Sequence, residues 1–453
     1  MLCTINFLQD IFNDQHGAVN PATEIHSIMT DSREQLSQAL FVPIIGERFD
    51  AHQFIHQAID SGAIAVLWDR KHSIPEELLE HISFFVVQDT TVALQTLAKA
   101  YCEKVNPTVI GVTGSNGKTT TKDLLHAVLQ KQFKTHATKG NYNNEIGLPL
   151  TILQMEQQTE VLILEMGMSS FGEIDTLTKI AKPNYAIITN VGESHIEHLG
   201  SRKGIAQAKL EIANGLSKDG LLIIDGDEPL LTSYNEHEHV IRCGMDEAND
   251  VIISDINVTE EQTTFTLDGM ERFFIPLLGK HHALNASFVI TLAKRLGMKQ
   301  QMIQNGLMHV NHTSMRFEKI IGKNDVTIIN DAYNASPTSM KGAINVVKEL
   351  DAFANKVLVL GDVLELGEYS QSLHQSVAEV IEPPINVVYT YGEAVETIAK
   401  YVSHTNPEID VQHFTNEADF KSALKNQANE STVMLFKASR GMAFEKFIEA
   451  LMK

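Results

Sequence analysis

Cysteine is scarce. The 453 residues hold three, Cys3, Cys102 and Cys243, odd in number, far apart and without a CxxC pair, which removes a disulfide framework and the CxxC redox and zinc motifs from consideration. Basic charge is also short: 36 Lys and Arg stand against 57 Asp and Glu, a net −21. Such a chain is not made to wrap nucleic acid or lie on an anionic membrane, since both attract basic patches, although a local anion site stays compatible with it. No apolar run approaches the roughly 18 residues that span a bilayer; Ala63 to Trp68 is among the longest. Met1 to Gln15 has neither a basic flank nor a small-residue cleavage site, so no secretory signal is visible. Repeats and low-complexity tracts are missing, and 43% hydrophobic with 21% charged residues is ordinary globular usage, which sets disorder aside. The expectation is a soluble cytoplasmic protein of about three domains, at roughly 150 residues each.

Three textures run along the chain. Residues 1–88 mix short apolar strands, Ala39 to Val42 and Ala63 to Trp68, with a helix marked by Phe54, Ile55, Ala58 and Ile59. Residues 89–313 alternate uninterrupted apolar runs (Thr108 to Thr113, Val161 to Leu164, Tyr185 to Thr189, Leu221 to Ile224) with helix-length segments. That rhythm predicts a parallel sheet covered on both faces. Asp268-Gly269 between Phe265 to Leu267 and Phe273 to Ile275 signals a hairpin. Residues 314–453 repeat the α/β rhythm through Thr327 to Ile329, Val357 to Leu360, Val387 to Tyr389 and Val433 to Phe436, without a GxGxxG. The fold class expected is α/β in three domains.

The chemistry begins at Thr113-Gly114-Ser115-Asn116-Gly117-Lys118-Thr119-Thr120, which follows a strand and opens a helix over Lys118 to Gln130. Glycines let backbone N–H groups approach phosphate oxygens, a lysine meets the β/γ charge, and a hydroxyl reaches the metal. The usual first glycine is displaced: Val112 holds its position and Gly111 lies one step earlier, so this is a variant loop that binds a nucleoside triphosphate. Val161 to Leu164 delivers Glu165 at a strand's C-terminal end, where open α/β sheets collect ligands. There it stands ready to share Mg²⁺ with Thr119. The next strand leads to Asn190-Val191-Gly192-Glu193-Ser194-His195-Ile196-Glu197-His198. This matches neither HExxH nor HxxEH, and His195, nearer the strand end, is either a metal or phosphate contact or merely structural. Ser201 to Leu216 reads as a helix with Ile205, Lys209, Ile212 and Leu216 on one stripe. Lys209 on that stripe either loses its charge through desolvation or snorkels to solvent.

Together these segments resemble the Mur ligase family, ATP-dependent amide-bond ligases of peptidoglycan synthesis. The resemblance adds Tyr142-Asn143-Asn144-Glu145-Ile146-Gly147, Glu165-Met166-Gly167 and Gly279-Lys280-His281-His282-Ala283-Leu284-Asn285-Ala286 to the phosphate loop and the His195 segment. Ile329-Asn330-Asp331-Ala332-Tyr333-Asn334-Ala335-Ser336-Pro337, Leu360 to Gly367 and Lys437-Ala438-Ser439-Arg440-Gly441 resemble the branch that adds D-alanyl-D-alanine to UDP-N-acetylmuramoyl-tripeptide. The DNPR-like mark of the ligases adding the third amino acid, and the DGAHNP-like segment of folylpolyglutamate synthetases, are missing. A nucleotide-driven switch is the rival from another class.

The resemblance implies a UDP-sugar-peptide domain (1–88), a central parallel-sheet P-loop ATPase domain (89–313) and a C-terminal Rossmann-like domain for the incoming dipeptide (314–453). It implies ATP and two Mg²⁺ ions: Lys118 on phosphate, Thr119 and Glu165 on one ion, His195 and a carbamylated Lys209 on the second. Asn285, Arg316 and Asp331 resemble nucleotide contacts, and Asn144 lies near the reacting phosphate. Asp31, Ser32 and Arg33, with Asn334 and Ser336, resemble substrate contacts. A monomer working on small-molecule substrates is expected. Departures are Met315 before Arg316 and Ala51 after Asp50, where Gly is common, and Ala438 for Gly before Ser439.

Overall fold

A computed structural model describes residues 2–452 except 18–19, 47–48, 233, 235–238 and 311–313. The described residues build three large sheets in sequence order, beside a two-stranded antiparallel pairing of Cys3–Thr4 with Glu24–Ile25. In the first, Ser27–Met29, Ala39–Phe41, Ala63–Asp69 and Ser83–Val87 run parallel, and Gln15–His16 closes the edge antiparallel. Asp89 then caps the helix Thr90–Val105 through the Val92 N–H. The Thr90 hydroxyl donates to the Pro43 carbonyl (2.7 Å) and the Tyr101 hydroxyl to Met155 O (2.9 Å), so this helix ties the first sheet to the second.

The central sheet has nine strands in the order Glu271–Ile275, Thr263–Leu267, Val251–Val258, Val240–Gly244, Leu221–Asp225, Tyr185–Ile188, Thr108–Thr113, Val161–Glu165 and Thr135–Ala137. It is parallel apart from the first three, which form the expected antiparallel insertion around Asp268 and Gly269, with φ of +52° and +66°. Its strands read as continuous apolar runs because both faces are covered. Ile110, Val112, Ile163 and Ile187 pack against the helices Lys118–Leu129 and Lys280–Arg295. Val109, Leu162, Leu164 and Ile188 pack against Thr90–Val105, Gly147–Leu153 and Glu173–Ala181. Each fully buried side chain of this kind contributes about 2 kcal/mol. The strand ending in the phosphate loop lies between the strand ending in Glu165 and the one leading to His195. All three therefore empty onto one edge of the sheet.

The third sheet runs Glu318–Ile321, Thr327–Asn330, Thr432–Lys437, Asn355–Gly361, Val387–Tyr391 and Asp410–Phe414, parallel except for its first strand. Pairing of Asn330 with Phe436 sets Asp331 beside Lys437 at the strands' C-terminal ends. The sequence reading misses Val240–Gly244, Val251–Val258, Glu318–Ile321 and Asp410–Phe414, whose residues are less continuously apolar. It also makes the Ser201 helix too long. The α-helix covers Arg202–Leu210 and tightens to a 3-10 turn at Glu211–Gly215. There the Glu211 carboxylate accepts from the Gly172 and Asp175 N–H groups, capping the neighbouring helix Glu173–Ala181. The expected 313/314 boundary falls at residues 311–313, outside the described residues. Among the described residues no helix is long and apolar enough to cross a membrane.

Candidate active site

The phosphate loop is shaped by close approach. Gly114, at φ +151°, has room for no side chain: a Cβ there would sit 1.8 Å from Thr189 Oγ1. Gly117, at φ +80°, opens the helix against Asn285, whose amide lies 2.9 Å from where a Cβ would be. The Thr189 hydroxyl donates to the Asn116 carbonyl, and the Asn116 N–H donates to Asn190 Oδ1 (2.9 Å), fastening the loop to the neighbouring strand end. Lys118 Nζ folds back on the loop, donating to the carbonyls of Gly114 (2.6 Å) and Ser115 (3.4 Å). Loss of hydration in the cleft pulls its pKa down, Glu165 opposes that, and Arg316 adds to it.

Glu165 is 3% exposed, and both its oxygens are engaged. The Thr119 hydroxyl donates to Oε2 and Asn143 Nδ2 to Oε1, each at 2.9 Å. A hydroxyl and a carboxylate facing each other beside the loop are the oxygen donors Mg²⁺ prefers. Asn143 is a residue the sequence reading passed over for its neighbour. Asn144 is exposed, and its Oδ1 accepts from Gly147 N (2.9 Å) at the start of the helix Gly147–Leu153.

His195 sits at φ +63° ahead of the short helix Ile196–Leu199. Its Nδ1 lies 2.5 Å from Glu365 Oε2 of the third sheet, an ion pair whenever the ring is protonated. Burial lowers its pKa, Glu365 opposes this, and Lys118 and Lys209 reinforce it. Lys209 is 2% exposed, which excludes snorkelling. Burial first, and the Lys118 ammonium second, hold its amine well below the ordinary lysine range. Lys118, Lys209 and His195 thus share one electrostatic neighbourhood beside the loop.

A cavity of about 250 Å³ opens over the loop, lined by Ser115 to Thr120, Asn285, Arg316, Asp331 and Lys437. Two buried donors on its wall, Asn116 Nδ2 and Arg316 Nε, have no acceptor among the described residues. Orphan N–H groups around a lysine fit a polyanion such as a triphosphate. Asp331 pairs with Lys437, which also reaches Asn334 O (3.3 Å), and Asp331 Oδ1 accepts from Phe317 N (3.2 Å). Lys437 is 2% exposed. Asp331→Ala leaves that ammonium without its carboxylate, and a loss of about 3 kcal/mol is expected, read as a lower urea midpoint for the third domain. A midpoint shift worth under about 1 kcal/mol would contradict this.

A second cavity of about 150 Å³ adjoins the first, lined by His195, Leu364, Glu365, Ser439, Arg440 and Gly441. The two share Ser194, Asn334 and Ala335. Ser336 lines neither: it caps the helix Pro337–Lys348 and donates to Asn116 Oδ1 (3.1 Å). The Thr338 hydroxyl donates to Glu193 (2.8 Å). These contacts hold the third domain on the loop.

Asp31, Ser32 and Arg33 lie away from this cleft, in a pocket of about 360 Å³ on the first sheet with Phe49, Phe54 and Gln57. Arg33 grips Asp31 through three N–H···O bonds and holds its carboxyl at a pKa of about 2. Ser32 donates to Gln57 (2.9 Å). Nearby, Asp50 bridges His52 Nδ1 (2.6 Å) and His72 Nε2 (3.0 Å). Because His52 Nε2 accepts from Asp69 N (3.2 Å), its proton must sit on Nδ1. The ring's lone pair is spent on the backbone, so this converging group is a hydrogen-bond chain bracing the pocket wall.

Against known proteins, the family description "Mur ligase middle domain" matches residues 112–293, "Mur ligase, glutamate ligase domain" 315–440, and "Mur ligase family, catalytic domain" 24–102. The chain is 48% identical to the UDP-N-acetylmuramoyl-tripeptide–D-alanyl-D-alanine ligase of Bacillus subtilis, over 95% of this chain and 94% of that one. To the Escherichia coli ligase of the same name it is 32% identical, over 99% and 98%. Among solved structures, MurF from Acinetobacter baumannii superposes with a TM-score of 0.88 at 30% identity, covering 99% of this chain and 98% of the other. MurF from Thermotoga maritima in complex with ADP gives 0.82 at 29%, covering 94% and 96%.

Proposed function

The chain belongs to the Mur ligase family, and on that premise we propose that it joins D-alanyl-D-alanine to UDP-N-acetylmuramoyl-tripeptide, converting ATP to ADP and phosphate in the cytoplasm. Residues 1–88 would hold the UDP-sugar-peptide, 89–313 the ATP and 314–453 the dipeptide. The observation that carries the reading is the pair of adjoining cavities sharing Ser194, Asn334 and Ala335, one over the phosphate loop and one beside His195 and Arg440. A switch needs the first alone; a ligase needs a second compartment for the amine next to the transferring phosphate.

A carboxylate and an amine do not condense in water. In the proposed reaction a carboxylate oxygen of the tripeptide attacks the γ-phosphorus and the β–γ P–O bond breaks, releasing ADP and leaving an acyl phosphate. The dipeptide amine then attacks the acyl carbon, the C–O bond to phosphate breaks, and the amine loses its proton. The first step sets anion against anion: two unit charges 4 Å apart repel by about 1 kcal/mol in water and about 4 at an effective dielectric of 20. Lys118 and the orphan donors of Asn116 and Arg316 supply the opposing field. Thr119 with Glu165, and His195 with a carbamate on Lys209, would hold two Mg²⁺ ions. Bound there, the ions neutralise charge on the triphosphate. The buried Lys209 amine supports the carbamate, because the neutral amine is the form that adds CO₂. Contacts such as those of Ser336 with Asn116, Thr338 with Glu193 and Glu365 with His195 would, once the cleft closes on its substrates, keep water from the acyl phosphate.

The test is mass-spectrometric product analysis with ATP, Mg²⁺, D-alanyl-D-alanine and UDP-N-acetylmuramoyl-tripeptide ending in lysine or diaminopimelate, each component omitted in turn. A UDP-N-acetylmuramoyl-pentapeptide, formed with ADP only in the complete mixture, is expected. ATP consumed without it would favour another acceptor or a switch, and no turnover by folded protein would overturn the catalytic reading.

A further inference from the structure

Arg316 and Arg440 belong to different cavities, the first to the nucleotide cavity and the second to its neighbour, yet both stack on one side chain. The Arg316 Cζ lies 4.1 Å and the Arg440 Cζ 6.0 Å from the centroid of the Tyr333 ring. Tyr333 stands directly before Asn334 and Ala335, the wall the cavities share. We propose that Tyr333 is a positioning residue that aims one guanidinium into each cavity, so that a single ring preorganises binding of the triphosphate and of the dipeptide carboxylate. The assignment of those two ligands rests on the ligase reading above.

The local backbone explains why a ring is needed. Arg316 sits at the tip of a turn whose flanking residues, Met315 and Phe317, both have left-handed φ, +64° and +55°. The turn's main chain is fixed by Tyr333 N donating to Met315 O (3.2 Å), Met315 N to Glu318 Oε2 (2.9 Å) and Phe317 N to Asp331 Oδ1 (3.2 Å). The Arg316 side chain has no such tether: its Nε is buried without an acceptor among the described residues. A free arginine side chain loses considerable rotamer entropy on binding an anion. A π face beneath the guanidinium removes part of that loss in advance and leaves the N–H edge open for phosphate. Arg440 is steered similarly, from Tyr333, from Met315 Sδ (3.4 Å from Nη1) and from Glu445 (3.1 Å). Met315 thus supplies a sulfur contact that a glycine at this position would lack.

The test replaces Tyr333 with phenylalanine and with a series of increasingly fluorinated phenylalanines, which keep the ring's shape while draining negative charge from its face. Tyr333→Phe should keep KM for ATP and for D-alanyl-D-alanine within about twofold. Across the fluorinated series both KM values should climb stepwise to about tenfold, with kcat within about threefold and KM for the UDP-tripeptide unchanged. Tyr333→Leu should match the end of the series. Flat KM values across the series, or a uniform rise that includes the UDP-tripeptide, would overturn the role and leave the ring as packing. If wild-type protein makes no pentapeptide, the ligase reading fails separately, and calorimetric ADP binding across the same series decides the Arg316 half: a stepwise loss supports it and a flat series overturns it.

Discussion

Glu165→Gln is expected to lower kcat for pentapeptide formation about a thousandfold, equivalent to about 4 kcal/mol of transition-state stabilisation, without unfolding the protein. The substitution is close to isosteric in a position 3% exposed. The glutamine carbonyl can still accept from Asn143, and its NH₂ can donate to Thr119, whose hydroxyl rotates to accept. Packing and hydrogen bonding survive, and only the negative charge goes. Calorimetry separates charge from shape: ADP should bind wild type more tightly with Mg²⁺ than without it, and bind Glu165→Gln with little difference between the two. A variant within tenfold of wild-type kcat, or one that keeps the full Mg²⁺ effect, would remove Glu165 from the metal site.

Much of the arrangement was readable in one dimension because its causes are local. Thr108 to Thr113 and Val161 to Leu164 could only be strands buried on both faces, and a glycine-rich turn between strand and helix needs few neighbours to define it. Asp268-Gly269 named its hairpin because two consecutive positive φ angles suit few other pairs. What escaped depends on contacts made across the fold. Asn143 and Asn144 are chemically identical, and only the path of the turn decides that the first reaches Glu165. The Ser201 stripe extends six residues past the C-terminal end of the α-helix because Glu211 is claimed by a helix about 40 residues earlier. Glu365 meets His195 across 170 positions of sequence and two sheets, so no spacing rule could have paired them. Ser336, a polar residue in a telling motif, spends its hydroxyl on a helix cap and on Asn116, contacts that no spacing rule announces. Spacing placed Lys209 on an apolar stripe but left two fates open, and only the covering layers close off the route to solvent.

That burial gives Lys209 an unusual signature under mutation, with activity and stability moving in opposite directions. Lys209→Met keeps the length and apolar stem of the side chain and removes the ionisable nitrogen. Burial and the Lys118 charge hold this amine neutral, so folding strips the proton that the lysine carries when unfolded and costs stability. An apolar side chain of similar volume carries no such cost and is often neutral or stabilising by about 1–4 kcal/mol. The variant should therefore melt no lower than wild type. Its rate of pentapeptide formation should nevertheless fall about a thousandfold, because the carbamate that, with His195, would hold the second ion can no longer form. Carbon-13 NMR supplies the direct readout: wild type equilibrated with ¹³C-bicarbonate should show a carbamate carbon, and Lys209→Met should not. If the variant loses both stability and activity, Lys209 is a structural residue. If the wild type turns over fully under CO₂-depleted conditions with no carbamate carbon, the lysine acts as an amine, and its partner is the phosphate itself.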